Sequence, residues 1–182
     1  MSQIQFEVKL YKINEWTILH LPVDASAKLP SRGVVMVKGT LNGLPFQTVL
    51  EPDGKYGPGL LPSHWFAPGG KLLSEAHAKS GDVVQIALES TDEWIEPDVP
   101  NDLKVALSGN PKACDVWEST TPIARWDWIR SIRSTNNSAT RKKRIEVACS
   151  KLESGKSRQC CFNRSMCTVP EVSKSGALLG TS

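Results

Sequence analysis

The chain lacks any apolar run long enough to cross a bilayer. Its first residues, MSQIQFEVKLYKI, also lack the charged-then-apolar layout of a secretory signal. Both absences favour a cytoplasmic protein, in which the five cysteines should stay reduced rather than form a disulfide scaffold. With 182 residues, the chain has room for one domain or for a compact domain with an appendage.

Histidines and paired cysteines, the usual zinc ligands, are sparse as well. The three histidines lie at no metal-ligand spacing, and three cysteines are grouped near the C-terminus: Cys160, Cys161 and Cys167. Structural zinc sites use two ligand pairs with two to four residues inside each pair, whereas Cys160 and Cys161 are adjacent. We therefore expect no metal and no cofactor. Arg158 and Arg164 are basic neighbours that could lower a thiol pKa, but we expect inert thiols.

Signatures of enzymes are missing too. There is no Gly-x-Ser-x-Gly elbow, and SGKS at 154–157 lacks the preceding glycine and the following helix of a phosphate-binding loop. No histidine has a local nucleophile and acid arranged like a catalytic triad. We expect a protein that is not an enzyme. The enzyme alternative requires a cavity that joins His64 or His77 to a carboxylate.

Strand patterns dominate the first half of the chain. In QIQFEVKL, at 3–10, apolar and polar residues alternate with the two-residue period of a half-buried strand. Three further segments predict strands: WTILHLP (16–22), GVVMVKGTL (33–41) and GDVVQIAL (81–88). Asn42-Gly43 predicts a type I′ hairpin turn before LPFQTVL, and a Gly/Pro loop follows at 52–62. A short helix is expected around 70–79.

After about residue 98 the apolar period becomes helical. Leu103, Ala106 and Leu107 recur at helical spacing before Gly109, and Cys149 lies on the apolar stripe of a later helix. The other start and stop signals are Pro111, Thr121-Pro122, Asn137 or Ser138, and Gly155. The pattern predicts an α+β chain with a β-rich domain over 1–95, a helical region over 96–156 and a loose tail over 157–182.

Charge is distributed unevenly. Residues 1–121 hold 10 Lys/Arg and 15 Asp/Glu, a net charge of −5, whereas residues 122–182 hold 12 and 4, a net charge of +8. Six basic residues on the last two helices are candidates for contact with an acidic partner or a nucleic acid: Arg130, Arg133, Arg141, Lys142, Lys143 and Arg144. Trp126 and Trp128 lie among them and could stack on bases, although helical spacing makes at least one of them a core residue. An acidic protein, an anionic membrane surface, a nucleic acid and a merely solvated helix face all stay open.

Two groups of motifs resemble known families. FEVKL, the LPV turn, VKGTLNGLPFQTVLEPDGKYG, LLPSHW and SGDVVQIALE together resemble the DUF 1905 family. VPNDLKVALSGNPKACDVWESTTPIARWDWIRSIRS, followed by ATRKKRIEVACSKLESGK, is similar to the YdeI/OmpD-associated family of bacteriocin-protection proteins. The two resemblances cover about residues 3–156, and their order is itself a family arrangement.

The first resemblance implies a double-split β-barrel, the class that also holds AbrB/MazE-type regulators, with Gly81-Asp82 as the turn that leads into the last strand. The second implies a cytoplasmic bacterial protein linked to tolerance of bacteriocins or cationic peptides. Neither family implies catalytic residues. A barrel of this class leaves both a monomer and a homodimer open.

We therefore expect a non-enzymatic bacterial stress-tolerance or binding protein. Its barrel would hold a small ligand or partner near the Gly/Pro loop, with these candidates: Lys55, Tyr56, His64 and Trp65. The alternative is a nucleic-acid-binding regulator that uses the basic helices on an AbrB-like barrel scaffold. Steep weakening of binding with salt, mapped to residues 122–156, would identify that alternative.

Overall fold

The structure, a computed structural model, describes residues 2–55, 57–159, 169–174 and 176–180. Within these ranges the chain divides into two compact units. The first comprises residues 2–55, 57–93, 171–174 and 176–180, and the second comprises residues 94–159 and 169–170. The units change between residues 93 and 94, near the domain boundary predicted after residue 95. In the described part of the chain, no helix combines the length and apolar character needed to cross a membrane.

The first unit is built on an antiparallel half-barrel sheet of seven strands, in the order β1-β7-β4-β5-β6-β3-β2. The strands are β1 (Ile4–Lys9), β2 (Tyr11–Ile13), β3 (Trp16–His20), β4 (Val35–Leu41), β5 (Leu44–Pro52), β6 (His64–Phe66) and β7 (Val83–Ser90). Two short helices accompany them: α1 (Val23–Ala27) and α2 (Gly70–Glu75). The strands expected at 3–10, 16–22, 33–41 and 81–88 are confirmed, as is the helix expected near 70–79.

Local backbone conformation explains two of the turns. Asn42 and Gly43 have φ angles of 48° and 83°, and Leu41 pairs with Leu44, which confirms the type I′ hairpin. Gly81 has a φ angle of 94°, and the Asp82 carboxylate accepts the Lys79 N–H at 3.0 Å before β7 begins. A residue with a side chain is strained in this left-handed region, so glycine suits the turn.

One apolar cluster fills the first unit. It includes Leu19 of β3, Val37 of β4, Leu50 of β5, Phe66 of β6 and Leu88 of β7, all of them buried. Alternate residues of a strand point to opposite faces, so the two-residue period of the sequence directs these side chains to one side of the sheet. Their burial removes apolar surface from water and favours folding.

The C-terminal residues of the first unit form two short paired strands, β8 (Ser173–Lys174) and β9 (Ala177–Leu178). Val172 and Leu178 are buried, and the Leu178 N–H donates to the Asp53 carbonyl oxygen at 2.7 Å. These strands lie in the segment that was predicted to be a loose tail. The sequence of that segment shows no periodicity that would indicate the packing.

The second unit is helical, which together with the first confirms the α+β class. Its helices are α3 (Asn101–Ser108), α4 (Pro111–Ser119), α5 (Pro122–Arg133) and α6 (Ser138–Glu153). Pro111 and Pro122 occupy first-turn positions as predicted, because their missing N–H groups cost nothing there. The Thr121 and Asn137 side chains accept the N–H groups of Ala124 and Thr140.

The apolar stripes of these helices meet in a second cluster. Leu103, Trp117, Trp128, Ile132 and Leu152 are among its buried members. Cys149 belongs to the same cluster, and burial raises the pKa of its thiol. Its interpretation as a small core residue is therefore confirmed.

Candidate ligand site

Asp53 closes the base of the Gly/Pro loop. It directly follows β5, and its carboxylate accepts the N–H groups of Lys55 and Ser63, each at 3.1 Å. The Asp53 N–H donates to the Ser63 carbonyl oxygen at 2.9 Å, so one buried residue holds both ends of the loop together. Buried polar groups are retained where they are hydrogen-bonded in this way.

The Asp53 carboxylate also binds a histidine. His20 Nε2, at the end of β3, lies 2.9 Å from Asp53 Oδ2. Burial raises the pKa of Asp53, but the hydrogen bonds from His20 and from the N–H groups of Lys55 and Ser63 outweigh it and hold that pKa below its ordinary value. Asp53 is therefore a carboxylate at neutral pH.

A second histidine lies in a separate network. His64 Nε2 donates to the Gly33 carbonyl oxygen at 2.8 Å, because a carbonyl can only accept. When the ring is neutral, Nδ1 accepts the hydroxyl of Ser26, whose Oγ is 2.7 Å away. Arg32 Nη1 donates to the same Oγ at 3.2 Å, and Nη2 donates to the carbonyl oxygens of Ser26 and Leu29. Ser26 is fully buried, so its hydroxyl is not presented to a substrate.

Beside Asp53 the structure contains a cavity of about 270 Å³. We call it the loop cavity; its lining residues are Arg32, Pro52, Asp53, Lys55, Gly57, Leu60 and Pro62. Three larger hollows in the described part of the first unit, of about 460, 380 and 530 Å³, are more open to solvent. The loop cavity is therefore the hollow among these four that best encloses a small molecule.

The loop cavity combines an apolar wall with two cations. The cavity surface is mostly apolar, and Leu60 and the two prolines belong to this wall; Leu60 itself is 51% exposed. Arg32 and Lys55 supply the positive charges, and among the described residues no carboxylate lies within ion-pair distance of either side chain. The Asp53 carboxylate at the base is held by His20 and by two backbone N–H groups.

The loop that forms this cavity also contacts the C-terminal strands. Gly54 has a φ angle of 76°, and a Cβ atom built on it would lie 1.5 Å from the Gly176 carbonyl oxygen. Both its left-handed backbone and this close approach require glycine. The C-terminal segment is thus packed against the first residues of the loop.

The four ligand candidates predicted from the sequence are placed differently. Lys55 lines the loop cavity, whereas His64 and Trp65 are each 1% exposed and are held inside the first unit. Tyr56 lies outside the described residues. Of the described candidates only Lys55 reaches the cavity, and the sequence analysis missed Arg32, Asp53 and Leu60.

The basic candidates of the second unit are largely engaged. Arg130 is fully buried and Arg133 is half-buried. Arg141 Nε and Nη2 donate to the two Asp102 carboxylate oxygens at 2.6 and 3.1 Å, and this hydrogen-bonded ion pair lowers the pKa of Asp102. Arg144 Nη1 donates to the Ser131 carbonyl oxygen at 2.7 Å. Of the six predicted contact residues, only Lys142 and Lys143 are exposed.

Arg125 and the two tryptophans of α5 are engaged as well. Arg125 Nε and Nη2 bind both Glu96 carboxylate oxygens at 2.9 and 2.6 Å, while Nη1 donates to the carbonyl oxygens of Trp117 and Thr120. Trp126 donates its indole N–H to the Ile95 carbonyl oxygen, and buried Trp128 donates to that of Ser157. The expectation that at least one tryptophan is a core residue is confirmed.

Metal ligation has no support in the part of the chain that the structure describes. There, no group of three or more His, Cys, Asp or Glu side chains could hold a metal ion. Cys160, Cys161 and Cys167 lie outside the described residues, so their predicted inertness stays a prediction.

Comparison with known families divides the chain at the same place as the structure does. Residues 6–88 match the model of DUF1905, a domain of unknown function. Residues 96–155 match the model described as bacteriocin-protection, YdeI or OmpD-associated. None of the curated proteins compared with the chain matches it. The two units thus match two family models in sequence order: DUF1905 first, then the bacteriocin-protection, YdeI or OmpD-associated family.

Proposed function

We propose that the chain is a non-enzymatic, cytoplasmic bacterial protein of the bacteriocin-protection type whose first unit binds a small ligand in the loop cavity. The loop cavity carries the proposal, because it is the more enclosed hollow and its loop is held by a buried, fully engaged carboxylate. A site on a fixed loop binds with less loss of conformational entropy than a site that must first be ordered.

The placement of the polar groups supports binding rather than catalysis. The enzyme alternative required His64 or His77 beside a carboxylate in a cavity, yet His64 binds Ser26 and Gly33, and His77 is exposed on the turn after α2. His20 lies beside the Asp53 carboxylate, and that carboxylate already binds two backbone N–H groups. Such a carboxylate organises the loop and is not arranged to take up a proton.

The alternative, a nucleic-acid-binding regulator, depends on basic side chains that face solvent. Arg125, Arg141 and Arg144 each bind carboxylate or carbonyl oxygens inside the second unit. Phosphate contacts need Lys or Arg side chains that face solvent and can displace the counterions condensed on the nucleic acid. Lys142 and Lys143 remain for an acidic protein or a nucleic acid, which is a smaller basic surface than the sequence suggests.

The test is saturation-transfer NMR of the full chain with a panel of small bacterial metabolites, compared between two variants. Leu60→Asp introduces a carboxylate into the apolar wall, and Leu61→Asp introduces the same carboxylate beside the cavity, at a residue that does not line it. Both leucines are largely exposed, at 51% and 65%, so both variants should fold. We expect Leu60→Asp, and not Leu61→Asp, to weaken binding of the metabolite at least tenfold. A tenfold loss of affinity corresponds to about 1.4 kcal/mol of binding free energy.

Mass spectrometry of the same metabolite after prolonged incubation should show it unchanged. If the metabolite were converted to a product only when the protein is present, the proposal that the protein is not an enzyme would be refuted. Equal weakening by Leu60→Asp and Leu61→Asp, or no bound metabolite at all, would refute the loop cavity as the site. Labelled DNA that binds the full chain and dissociates steeply with added salt would favour the regulator instead.

A further inference from the structure

Resting on the proposed ligand function, we propose that the loop cavity selects small organic anions. The anionic group lies between the Arg32 guanidinium and the Lys55 ammonium, and an apolar body lies against Leu60 and the neighbouring prolines. The ligand class is therefore a carboxylate or phosphate ester with a short chain or a single ring.

The charge environment of the two cations carries this inference. Arg32 donates to one hydroxyl and two carbonyl oxygens, all of them uncharged. The side chain of Lys55 has no carboxylate within ion-pair distance among the described residues, although its backbone N–H binds Asp53. Two cations beside one cavity repel each other, and an anion between them relieves that repulsion.

Asp53 is the one carboxylate of the lining; it offsets one of the two cations and leaves the lining with a net charge of +1. Its two oxygens accept from Lys55 N, Ser63 N and His20 Nε2, and the residue is 1% exposed. Hydrogen bonds from several donors stabilise its charge locally. The side chains of Arg32 and Lys55 are the charged groups left to meet a ligand.

The apolar wall argues against a bare inorganic anion. Most of the cavity surface is apolar, and Pro52, Leu60 and Pro62 are among its lining residues; an inorganic phosphate would leave that apolar surface uncovered. A cavity of about 270 Å³ lies just below the 300–1,000 Å³ range typical of drug-sized ligands. The apolar body is therefore short.

Arginine's planar fork suits carboxylates and phosphates alike, so the test separates the two. The 15N-labelled full chain is titrated with benzoate, with its isosteric neutral analogue benzamide, with phenyl phosphate and with inorganic phosphate. Chemical shifts of the 53–63 backbone amides report the dissociation constants. We expect benzoate or phenyl phosphate to bind about tenfold more tightly than benzamide and than inorganic phosphate. Only these two probes combine a charge-assisted hydrogen bond with an apolar contact.

Variants then assign the charge. Lys55→Met keeps most of the side-chain length and removes the cation. It should weaken binding of the tighter anion about tenfold and leave benzamide binding unchanged. Lys9→Met is the matched control, because Lys9 is an exposed lysine of β1 outside the cavity lining. Arg32→Lys keeps the charge but loses the fork that binds Ser26 and Leu29, and should give an intermediate loss.

The outcomes separate this inference from the function on which it rests. Equal affinity for benzoate and benzamide, unchanged by Lys55→Met, overturns anion selection but leaves ligand binding in place. If every anion caused chemical-shift changes and bound more weakly to Lys9→Met as well, binding would reflect the general surface charge. That result would also overturn anion selection. No shift at 53–63 with any probe overturns anion selection, and the metabolite panel then decides whether the cavity binds a neutral ligand.

Discussion

In the second unit Arg125 and Arg141 each pair with a carboxylate. Arg32 and Lys55, which line the loop cavity of the first unit, have no carboxylate within ion-pair distance of their side chains among the described residues. The sequence suggests the opposite, because residues 122–182 carry a net charge of +8 and residues 1–121 carry −5. The net charge of a segment counts its ions but does not show which of them already have partners. Binding depends on the ions that remain without such partners.

The carboxylates of the two units differ in the same way. Asp53 is buried and organises a loop through two backbone N–H groups, while Asp102 is partly exposed and binds the Arg141 side chain. Removal of a buried, fully bonded charge leaves several donors without partners, whereas an exposed pair is largely replaced by water. Removal of the Asp53 carboxylate should therefore lower the free energy of unfolding more than removal of the Asp102 carboxylate.

Asp53→Ala should show the largest effect. It leaves the N–H groups of Lys55 and Ser63 and the His20 ring without their acceptor, and should lower the free energy of unfolding by about 3 kcal/mol. Urea denaturation followed by tryptophan fluorescence measures this. Glu15→Ala, an exposed acid on the turn after β2, is the control and should change stability by less than about 0.5 kcal/mol. Equal effects of the two substitutions would mean that Asp53 does not anchor the loop.

Arg125→Met and Lys55→Met compare an engaged cation with an unengaged one. The Arg125 side chain is 12% exposed and makes four hydrogen bonds, so its loss should cost about 2 kcal/mol. Lys55→Met should change stability by less than about 0.5 kcal/mol, since no ion pair is lost. The same urea series measures both variants. A Lys55→Met variant as unstable as Arg125→Met would show that the ammonium is engaged and would remove the basis for anion selection.

The sequence predicts most of the fold because its signals are local. Two-residue alternation, the Asn42-Gly43 turn and the first-turn prolines at 111 and 122 depend on neighbours along the chain, and all of them appear in the structure. The strands β2 and β6 and the helix α1 were not predicted. They span only three to five residues, too few for a period to be recognised.

The site was harder to predict because its members are distant along the chain. Arg32 and Lys55 meet at the loop cavity, and His20 meets Asp53, only after β3, β5 and β6 have paired. The sequence Asp53-Gly54 is typical of a turn, but it does not indicate that Asp53 binds a histidine. The ion pairs of the basic helices were hard to predict for the same reason, since Glu96 and Asp102 precede their arginine partners by 29 and 39 residues.

Acid should reveal the smallest difference between the two units. Burial raises the pKa of Asp53 but hydrogen bonds from His20, Lys55 and Ser63 lower it overall, and the hydrogen bond from Arg141 lowers the pKa of Asp102. A carboxyl group whose pKa is lowered on folding stabilises the protein fully above its ordinary value of 3.8, and this stabilisation is lost as the pH falls through the folded-state pKa. The free energy of unfolding should therefore fall below about pH 5, and Asp53→Asn and Asp102→Asn should each flatten that fall.

Salt distinguishes the two carboxylates in this acid titration. The Asp102 side chain is 45% exposed, so added salt should screen its pair with Arg141 and reduce the flattening produced by Asp102→Asn. The Asp53 side chain is 1% exposed, and the flattening produced by Asp53→Asn should persist in the same salt. Urea denaturation between pH 2 and pH 6 at low and high salt measures both. If salt abolished the contribution of Asp53 as readily as that of Asp102, the carboxylate would be solvated, and the loop that forms the cavity would lack its buried anchor.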